Sequence, residues 1–216
     1  RKCFLVKNYV SVICILLVIN ISNLINCSKL FSENFDAGLK TGWYWIQPQP
    51  SGNILYSVYF TDCLTGFAAG AFGTIIKTTD AGKSWVILSS GTLNDLSEIF
   101  FINNSDGFAV GNSGAILKTV DGGFSWTGIP SGTNSYLHDI IFPEGTTGYC
   151  AGLNGCILKS TDKGNSWNRL WTGSNSPLFC LDFLNDSSGF SGGYNIILKT
   201  ADGGKSWDIQ NINFSP

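Results

Sequence analysis

The sequence contains no methionine, a single histidine and only two arginines, and each scarcity excludes something. Methionine is missing even at position 1, so we expect the reading frame to be incomplete. One histidine, together with cysteines that lack paired CxxC spacing, argues against a structural zinc site. The acidic residues are spaced for turns rather than clustered as calcium ligands, and we expect no metal.

Basic residues are also in the minority, with 13 Lys and Arg against 15 Asp and Glu. No basic stripe runs along the chain, so nucleic acid is a poor candidate partner. The Gly-Lys-Ser in TTDAGKSW (78–85) and TADGGKSW (200–207) is how a phosphate-binding loop ends, but that loop needs a glycine five positions before its Gly-Lys. Lys77 and Lys199 stand there instead. We therefore expect no nucleotide and no other cofactor.

Residues 1–27 differ in character from the rest of the chain. Three cationic residues precede a run of about sixteen mostly apolar ones, which is the layout of a secretory signal and short for a membrane span. We expect a signal peptide and export to the periplasm, cell surface or exterior, with a retained N-terminal anchor as the alternative. Lipidation at Cys27 is a minor option, because Asn26 stands where a small residue is expected. Residues 28–42 are expected to be a linker.

The main feature of the chain is an eight-residue pattern, [ST]-x-D-x-G-x-S-W, that occurs four times. The copies are separated by 41, 41 and 40 residues, and a fixed period of this size is typical of repeat architectures. We expect the shared residues to be structural. They are Asp80, Gly82, Ser84 and Trp85, then Asp121, Gly123, Ser125 and Trp126, then Asp162, Gly164, Ser166 and Trp167, and finally Asp202, Gly204, Ser206 and Trp207.

Each repeat predicts four short strands joined by turns rich in Gly, Asn, Asp and Ser. A tandem four-stranded antiparallel sheet of this length predicts an all-β fold, the β-propeller, with strands buried on both faces. The blades are expected at about 55–88, 96–129, 137–170 and 178–212. Trp45 begins a further strand without a blade of its own. We therefore predict an incomplete arc of four blades plus one extra N-terminal strand, with two unpaired blade faces.

The repeated turn has an expected mechanism. The aspartate should accept hydrogen bonds from nearby backbone N–H groups, and the glycine should adopt a positive φ. The tryptophan should wedge between neighbouring sheets and bury on the order of 200 Å².

These residues resemble the Asp-box, or bacterial neuraminidase repeat. The string GFAVGNSGAILKTVDGGFSW at 107–126 is most similar to the photosystem II stability/assembly factor family and its secreted bacterial relatives. The resemblance covers residues 43–216 and implies a propeller. For function it implies a role in assembling a photosystem reaction centre, although the shared residues are the structural ones.

Two enzyme families share this repeat. Sialidases use three arginines to hold a carboxylate, and Arg1 and Arg169 are too few, which excludes that activity. A xyloglucanase-like glycoside hydrolase needs two carboxylates, for which Glu98 and Asp139 are candidates. We favour a channel-solvating role for both. No serine or cysteine stands in a nucleophile motif that His138 could activate, so His138 is expected to line the channel or to be hydrogen-bonded.

Cys150 and Cys156 flank a predicted hairpin turn. They would form a disulfide only if the strand register set them opposite one another. We favour the alternative, in which both are small buried residues.

Strand connectivity places every repeated turn at one end of the propeller, so the opposite face is the expected recognition surface. Tolerant loop tips are the alternative. The sequence thus predicts an exported, non-catalytic scaffold that binds a protein or glycan. The candidate binding residues are Phe72, Asn94, Asn112, Tyr136, His138, Asn154, Asn175 and Tyr194.

Overall fold

A computed structural model describes residues 51–210 and shows sixteen strands in four antiparallel sheets, each with its strands in chain order. The signal, linker and Trp45 strand lie outside the described residues. Blade 1 contains β1 Leu55–Phe60, β2 Gly66–Gly70, β3 Ile75–Thr78 and β4 Val86–Leu88. Blade 2 contains β5 Leu96–Phe101, β6 Gly107–Gly111, β7 Ile116–Thr119 and β8 Thr127–Gly128. Blade 3 contains β9 Leu137–Ile141, β10 Gly148–Gly152, β11 Cys156–Ser160 and β12 Asn168–Leu170. Blade 4 contains β13 Leu178–Phe183, β14 Gly189–Gly193, β15 Ile196–Thr200 and β16 Asp208–Gln210.

The first strands of consecutive blades contact one another, so β1, β5, β9 and β13 line the inside of an arc. The fourth strands lie at the outer edge. The four sheets confirm the predicted incomplete β-propeller.

Each second strand begins with a glycine followed by an aromatic residue, and packing requires the glycine. In blade 2, a Cβ atom at Gly107 would lie 2.5 Å from the ring of Phe101 on β5. That distance is closer than any real contact, so only glycine lets the ring cross the second strand. The same clash occurs in the other three blades.

Three apolar clusters fill the joints between consecutive blades. Each joint also contains a stacked aromatic pair, one ring from each blade. The ring centroids are 4.2 Å apart for Phe67 and Phe101, 4.6 Å for Phe108 and Phe142, and 4.0 Å for Tyr149 and Phe183. The core of the molecule therefore lies between the sheets, and each blade depends on its neighbours.

The expectation of strands buried on both faces is wrong for β1, for β13, β14 and β15 of blade 4, and for the fourth strand of every blade. Leu55 and Val58 are 38% and 37% exposed, whereas the equivalent residues of blades 2 to 4 are at most 4% exposed. The physical reason is that within residues 51–210 no blade precedes blade 1, none follows blade 4, and each fourth strand is the outer edge of its sheet.

Within the same range, no helix has the length and apolar character needed to cross a membrane.

The register of β10 and β11 decides the disulfide question. Cys150 lies opposite Leu158, and Cys156 lies opposite Gly152. Both thiols are free and fully buried, and burial raises the pKa of each. The preferred interpretation as small buried residues is confirmed.

Candidate functional site

In each of the four box turns, residues 78–85, 119–126, 160–167 and 200–207, the side chains of the aspartate and of the flanking hydroxyl residues are bonded within the turn. In the first, Asp80 Oδ1 accepts a hydrogen bond from the Ser84 N–H at 2.9 Å, and Oδ2 accepts one from the Ser84 hydroxyl at 2.6 Å. The Thr78 hydroxyl donates to Asp80 Oδ1 and accepts from the Gly82 N–H. The other three turns repeat these bonds.

These bonds favour the ionised carboxylates. The Ser84 side chain, followed by its backbone N–H, lowers the pKa of Asp80 to about 2. The pKa values of the other three box aspartates are also lowered to about 2 by equivalent bonds. A carboxylate of this kind is a poor general acid near neutral pH, and the box turns are built for structure.

The box glycines adopt the predicted positive φ, and those of blades 2 to 4 also lie beneath a side chain of the preceding blade. Gly123 has φ +81°, and a Cβ there would lie 2.6 Å from the ring of Phe67 in the preceding blade. Gly164 is covered in the same way by Phe108. Gly82 is not covered in this way among the described residues, where the atoms nearest to its Cβ position belong to Trp85 of the same turn at 3.7 Å or more.

The box tryptophans pack edge-on against aromatic rings. Trp167 is 7% exposed and stands nearly perpendicular to Phe142 of its own blade and to Phe108 of blade 2. It is therefore wedged between two sheets, as the sequence predicts. Its indole N–H is buried and has no acceptor among the described residues, so its role in the joint is apolar.

A lysine that sequence reasoning missed ties each blade to the next. Lys77 on β3 donates a 2.8 Å hydrogen bond to the Gly122 carbonyl in the box turn of blade 2. Lys118 donates to the Lys163 carbonyl, and Lys159 to that of Gly203, each at 2.7 Å. The available signal was a lysine at the same position of the third strand in every repeat, within an otherwise apolar segment.

The carboxylate slot considered for catalysis is used structurally on the inner strands. Asp139 Oδ2 accepts a 2.7 Å hydrogen bond from the Leu181 N–H of the next blade. In the first blade the same slot holds Ser57, whose hydroxyl accepts from the Ile99 N–H. Glu98 occupies this slot in blade 2. In blades 1 and 3 the slot therefore links the inner strand to that of the next blade.

Backbone hydrogen bonds define the two ends of the arc. At one end each box turn is bonded to the turn between the first and second strands, as from the Ala81 N–H to the Leu64 carbonyl at 2.9 Å. At the other end the turn between the second and third strands is bonded to the loop that enters the blade, as from the Asn112 N–H to the Asp95 carbonyl at 2.8 Å. We call this second end the recognition face.

The structure places the predicted binding residues at the recognition face with different exposure. Phe72 and Tyr194 are 68% and 67% exposed, and Phe72 has a left-handed φ of +55°. Asn94, Tyr136 and His138 are half-buried. The remaining three are exposed, namely Asn112, Asn154 and Asn175.

Two grooves open at this face. One of about 530 Å³ is lined by Asn94 and by the loop segments 90–92 and 130–134. The other, of about 520 Å³, is lined by Phe72 and again by residues 90–92. Serine, threonine, asparagine and glycine make up most of these loop segments, so the grooves combine backbone and hydroxyl groups with a few apolar side chains.

An aromatic cluster lies near the start of the inner strands. The His138 ring is 4.7 Å from that of Tyr136 and 5.2 Å from that of Phe179 on β13. Burial lowers the pKa of His138, and its Nε2 is buried without a hydrogen-bond partner among the described residues. The hydrogen-bonded alternative is therefore not seen at Nε2. No group of three or more His, Cys, Asp or Glu residues within 51–210 is arranged to hold a metal ion.

Comparison with known families decides the relationship. The family model described as photosynthesis system II assembly factor YCF48 matches residues 37–130 and 87–177, which together exceed half of the chain. The chain belongs to this family. No curated protein matches it.

Solved structures show the same fold at low sequence identity. The structure described as YCF48 bound to D1 peptide is 21% identical, with a TM-score of 0.64, over 77% of this chain and 56% of that one. YCF48 from Cyanidioschyzon merolae is 15% identical, with a TM-score of 0.61, over 78% of this chain and 59% of that one. The GH74 enzyme of Niastella koreensis is 17% identical, with a TM-score of 0.61, over 69% of this chain and 28% of that one. The chain thus spans less than two thirds of each YCF48 structure.

Proposed function

We propose that this chain is part of an exported, non-catalytic propeller scaffold that binds a protein segment at its recognition face, in the manner of an assembly factor. The observation that carries the proposal is the contrast between the two ends. Exposed aromatic side chains occur at both ends, since Phe124 in a box turn is 77% exposed. The box turns, however, bond their Asp, Ser and Thr side chains internally, whereas the recognition face presents two grooves together with exposed Phe72 and Tyr194. Aromatic side chains of this kind are enriched at protein interfaces.

The chemistry of the grooves fits an extended peptide. Hydroxyl, amide and backbone groups of the loop segments can bond a peptide main chain, while Phe72 offers an apolar contact to a side chain. A related solved structure is described as YCF48 bound to D1 peptide, and this supports a protein partner. Without residues 1–27, which carry three of the 13 Lys and Arg and none of the 15 Asp and Glu, the net charge is −5 (10 − 15). A charge this modest favours recognition by shape and hydrogen bonding over electrostatic capture.

A non-catalytic role is supported by how the acidic residues are used. Asp139 accepts the Leu181 N–H across a blade joint, and the four box carboxylates are bonded within their own turns. The GH74 structures are less than 25% identical to this chain, so the likeness shows a shared fold and not a shared activity. Release of sugar from xyloglucan by the full chain would overturn this part of the proposal.

Export is supported by the cationic and apolar character of residues 1–27. A reporter enzyme that is active only outside the cytoplasm, fused after residue 216, tests it. We expect activity with the full chain and loss of activity when residues 1–27 are removed. Equal activity of the two fusions would contradict export.

Binding is tested by fluorescence polarisation with a labelled D1 peptide and the full chain. We expect Phe72→Ala with Tyr194→Ala to weaken binding at least tenfold, because exposed aromatics are common hot spots. Leu184→Ala is the control, since Leu184 is 81% exposed in the turn between β13 and β14 at the other end. Unchanged affinity of the double variant with an unchanged melt would exclude the recognition face. Absence of binding by the unaltered chain would exclude a D1-type partner.

A further inference from the structure

The joint between blades 1 and 2 is open at its outer edge. Three box tryptophans pack into the apolar cluster that their blade shares with the preceding one, namely Trp126, Trp167 and Trp207. Trp167 and Trp207 are 7% and 9% exposed, whereas Trp126 is only half-buried. Because the joint of Trp126 has a described blade on each side, this difference does not depend on where the described residues begin or end.

Gly128 is the cause of the opening. Side chains two positions apart on a strand lie on the same face, so residue 128 stands beside Trp126. A Cβ atom at Gly128 would have no heavy atom within 4 Å, and its φ is not among the positive values that favour glycine. The residues that occupy this position of the fourth strand in the other blades are Ile87, Arg169 and Ile209. The missing side chain therefore leaves a gap beside the Trp126 indole.

The gap belongs to the larger groove of the recognition face. That groove has a volume of about 530 Å³, within the range of roughly 300–1,000 Å³ that is usual for ligand sites. Leu117 and Trp126 give it apolar surface, and Asn94, Ser113 and Asn134 add groups that donate and accept hydrogen bonds. Within residues 51–210, no Asp, Glu, Lys or Arg lines it. We call the part of the groove between Gly128 and Trp126 the Gly128 pocket.

We propose that the Gly128 pocket takes one large apolar side chain from an extended, uncharged segment of a partner protein. The inference rests on the proposed recognition of a protein segment and names the kind of side chain that the groove selects. The apolar side chain packs on the Trp126 indole, in the place that a side chain of the fourth strand fills in the other blades. The amides of Asn94 and Asn134 bond the flanking main chain. A charged side chain is rejected, because it would lose hydration without gaining an ionic partner.

Fluorine NMR on the full chain labelled with 5-fluorotryptophan tests the Gly128 pocket without a partner protein. The resonance of Trp126 is assigned by its loss in Trp126→Phe. Titration with N-acetylphenylalaninamide shifts this resonance and leaves the other tryptophans in place, whereas N-acetylaspartate α-amide, which carries a carboxylate, shifts none of them. An unmoved Trp126 resonance, or equal shifts with the two probes, would overturn the proposal.

Filling the Gly128 pocket should abolish this response without harming the fold. Gly128→Ile gives β8 the residue that β4 and β16 have at this position, so the thermal melt stays at or above that of the unaltered chain. Thr127→Val is the matched control, because Thr127 is exposed on the opposite face of the strand and β4 has valine there. The control keeps the shift caused by the phenylalanine probe, and Gly128→Ile loses it. Equal shifts in the two variants would contradict the proposal.

Fluorescence polarisation with the labelled D1 peptide separates this inference from the proposed function. Gly128→Ile weakens peptide binding at least tenfold, and Thr127→Val leaves it unchanged. Equal affinities of the two variants would overturn the role of the Gly128 pocket in recognition. If the unaltered chain does not bind the D1 peptide but the phenylalanine probe still shifts Trp126, a D1-type partner is rejected and a pocket for another apolar segment is supported.

Discussion

The side-chain nitrogen of Lys77 lies 2.8 Å from the carbonyl oxygen of Gly122, which is 45 residues further along the chain. This bond joins the third strand of one blade to the box turn of the next. The same lysine lies over the ring of Phe67, which in turn covers Gly123. One charged side chain thus organises a contact between repeats, and the stability of each blade is coupled to that of its neighbour.

Replacement of this lysine should weaken the joint. We expect Lys77→Met to lower the free energy of unfolding by about 1.5–3 kcal/mol, the usual range for a hydrogen bond from a charged group, because Lys77 is buried and the Gly122 carbonyl loses its donor. Urea denaturation measures the change. Lys83→Met, at an exposed position of the first box turn, is the control and should stay within about 0.5 kcal/mol of the unaltered chain. Similar losses in the two variants would show that the bond to Gly122 contributes nothing.

The box glycines allow backbone strain to be separated from packing. Gly82→Ala and Gly123→Ala both place a Cβ at a φ above +80°, which costs about 1–2 kcal/mol. Only the second also drives the Cβ into the Phe67 ring, so we expect a further cost of about 1–3 kcal/mol from overpacking. Chemical denaturation of both variants gives the difference. If Gly82→Ala were as destabilising as Gly123→Ala, the contact with Phe67 would not be the cause.

Replacement of the box tryptophans should lower the stability of the fold by different amounts, because Trp167 and Trp85 differ in burial. Trp167→Ala removes a buried indole from between two sheets and should cost about 3–5 kcal/mol. Trp85 is half-buried and contacts Phe60 of its own blade, so Trp85→Ala should cost less. Thermal melts rank the two variants, and the reverse order would contradict the wedge role of Trp167.

Acid should destabilise the fold through the box turns. The pKa of each box aspartate is about 2 in the folded chain, below the ordinary value of 3.8. A depressed pKa means that the stabilisation is fully present above about pH 4 and is lost as the pH falls through 2. We therefore expect the urea midpoint to fall steeply between pH 4 and pH 2.

The matched variant for this pH effect is Asp121→Asn, which should show a shallower fall, because three carboxylates titrate instead of four. Its stability at neutral pH should be lower, since an amide offers only one oxygen to the two Ser125 donors. An identical pH slope in the variant and the unaltered chain would place the acid sensitivity elsewhere.

The sequence alone was sufficient to predict the blades, because their determinants are local. The turn residues and the glycine that opens each second strand recur at a fixed period, and each acts within one sheet: Gly107, for example, packs beneath Phe101 of its own blade. Turn chemistry is equally local: within residues 51–210, the side chain of Asp80 bonds residues that are four positions away or nearer. These features can be predicted from the sequence because their hydrogen bonds and contacts need no residue from a distant part of the chain.

What joins one blade to the next was decided only by the tertiary structure. The bonds from Lys77 to Gly122 and from Leu181 to Asp139 link residues more than 40 positions apart. A lysine in an apolar strand and an aspartate in a channel slot look functional or unexplained until the neighbouring sheet is in place. The same holds for exposure. Phe67 and Phe190 occupy the same position of the repeat, but blade 2 buries Phe67, whereas no blade within residues 51–210 follows Phe190, which is 40% exposed. The sequence position alone does not determine whether such a residue is buried, because burial depends on which neighbouring blade packs against it.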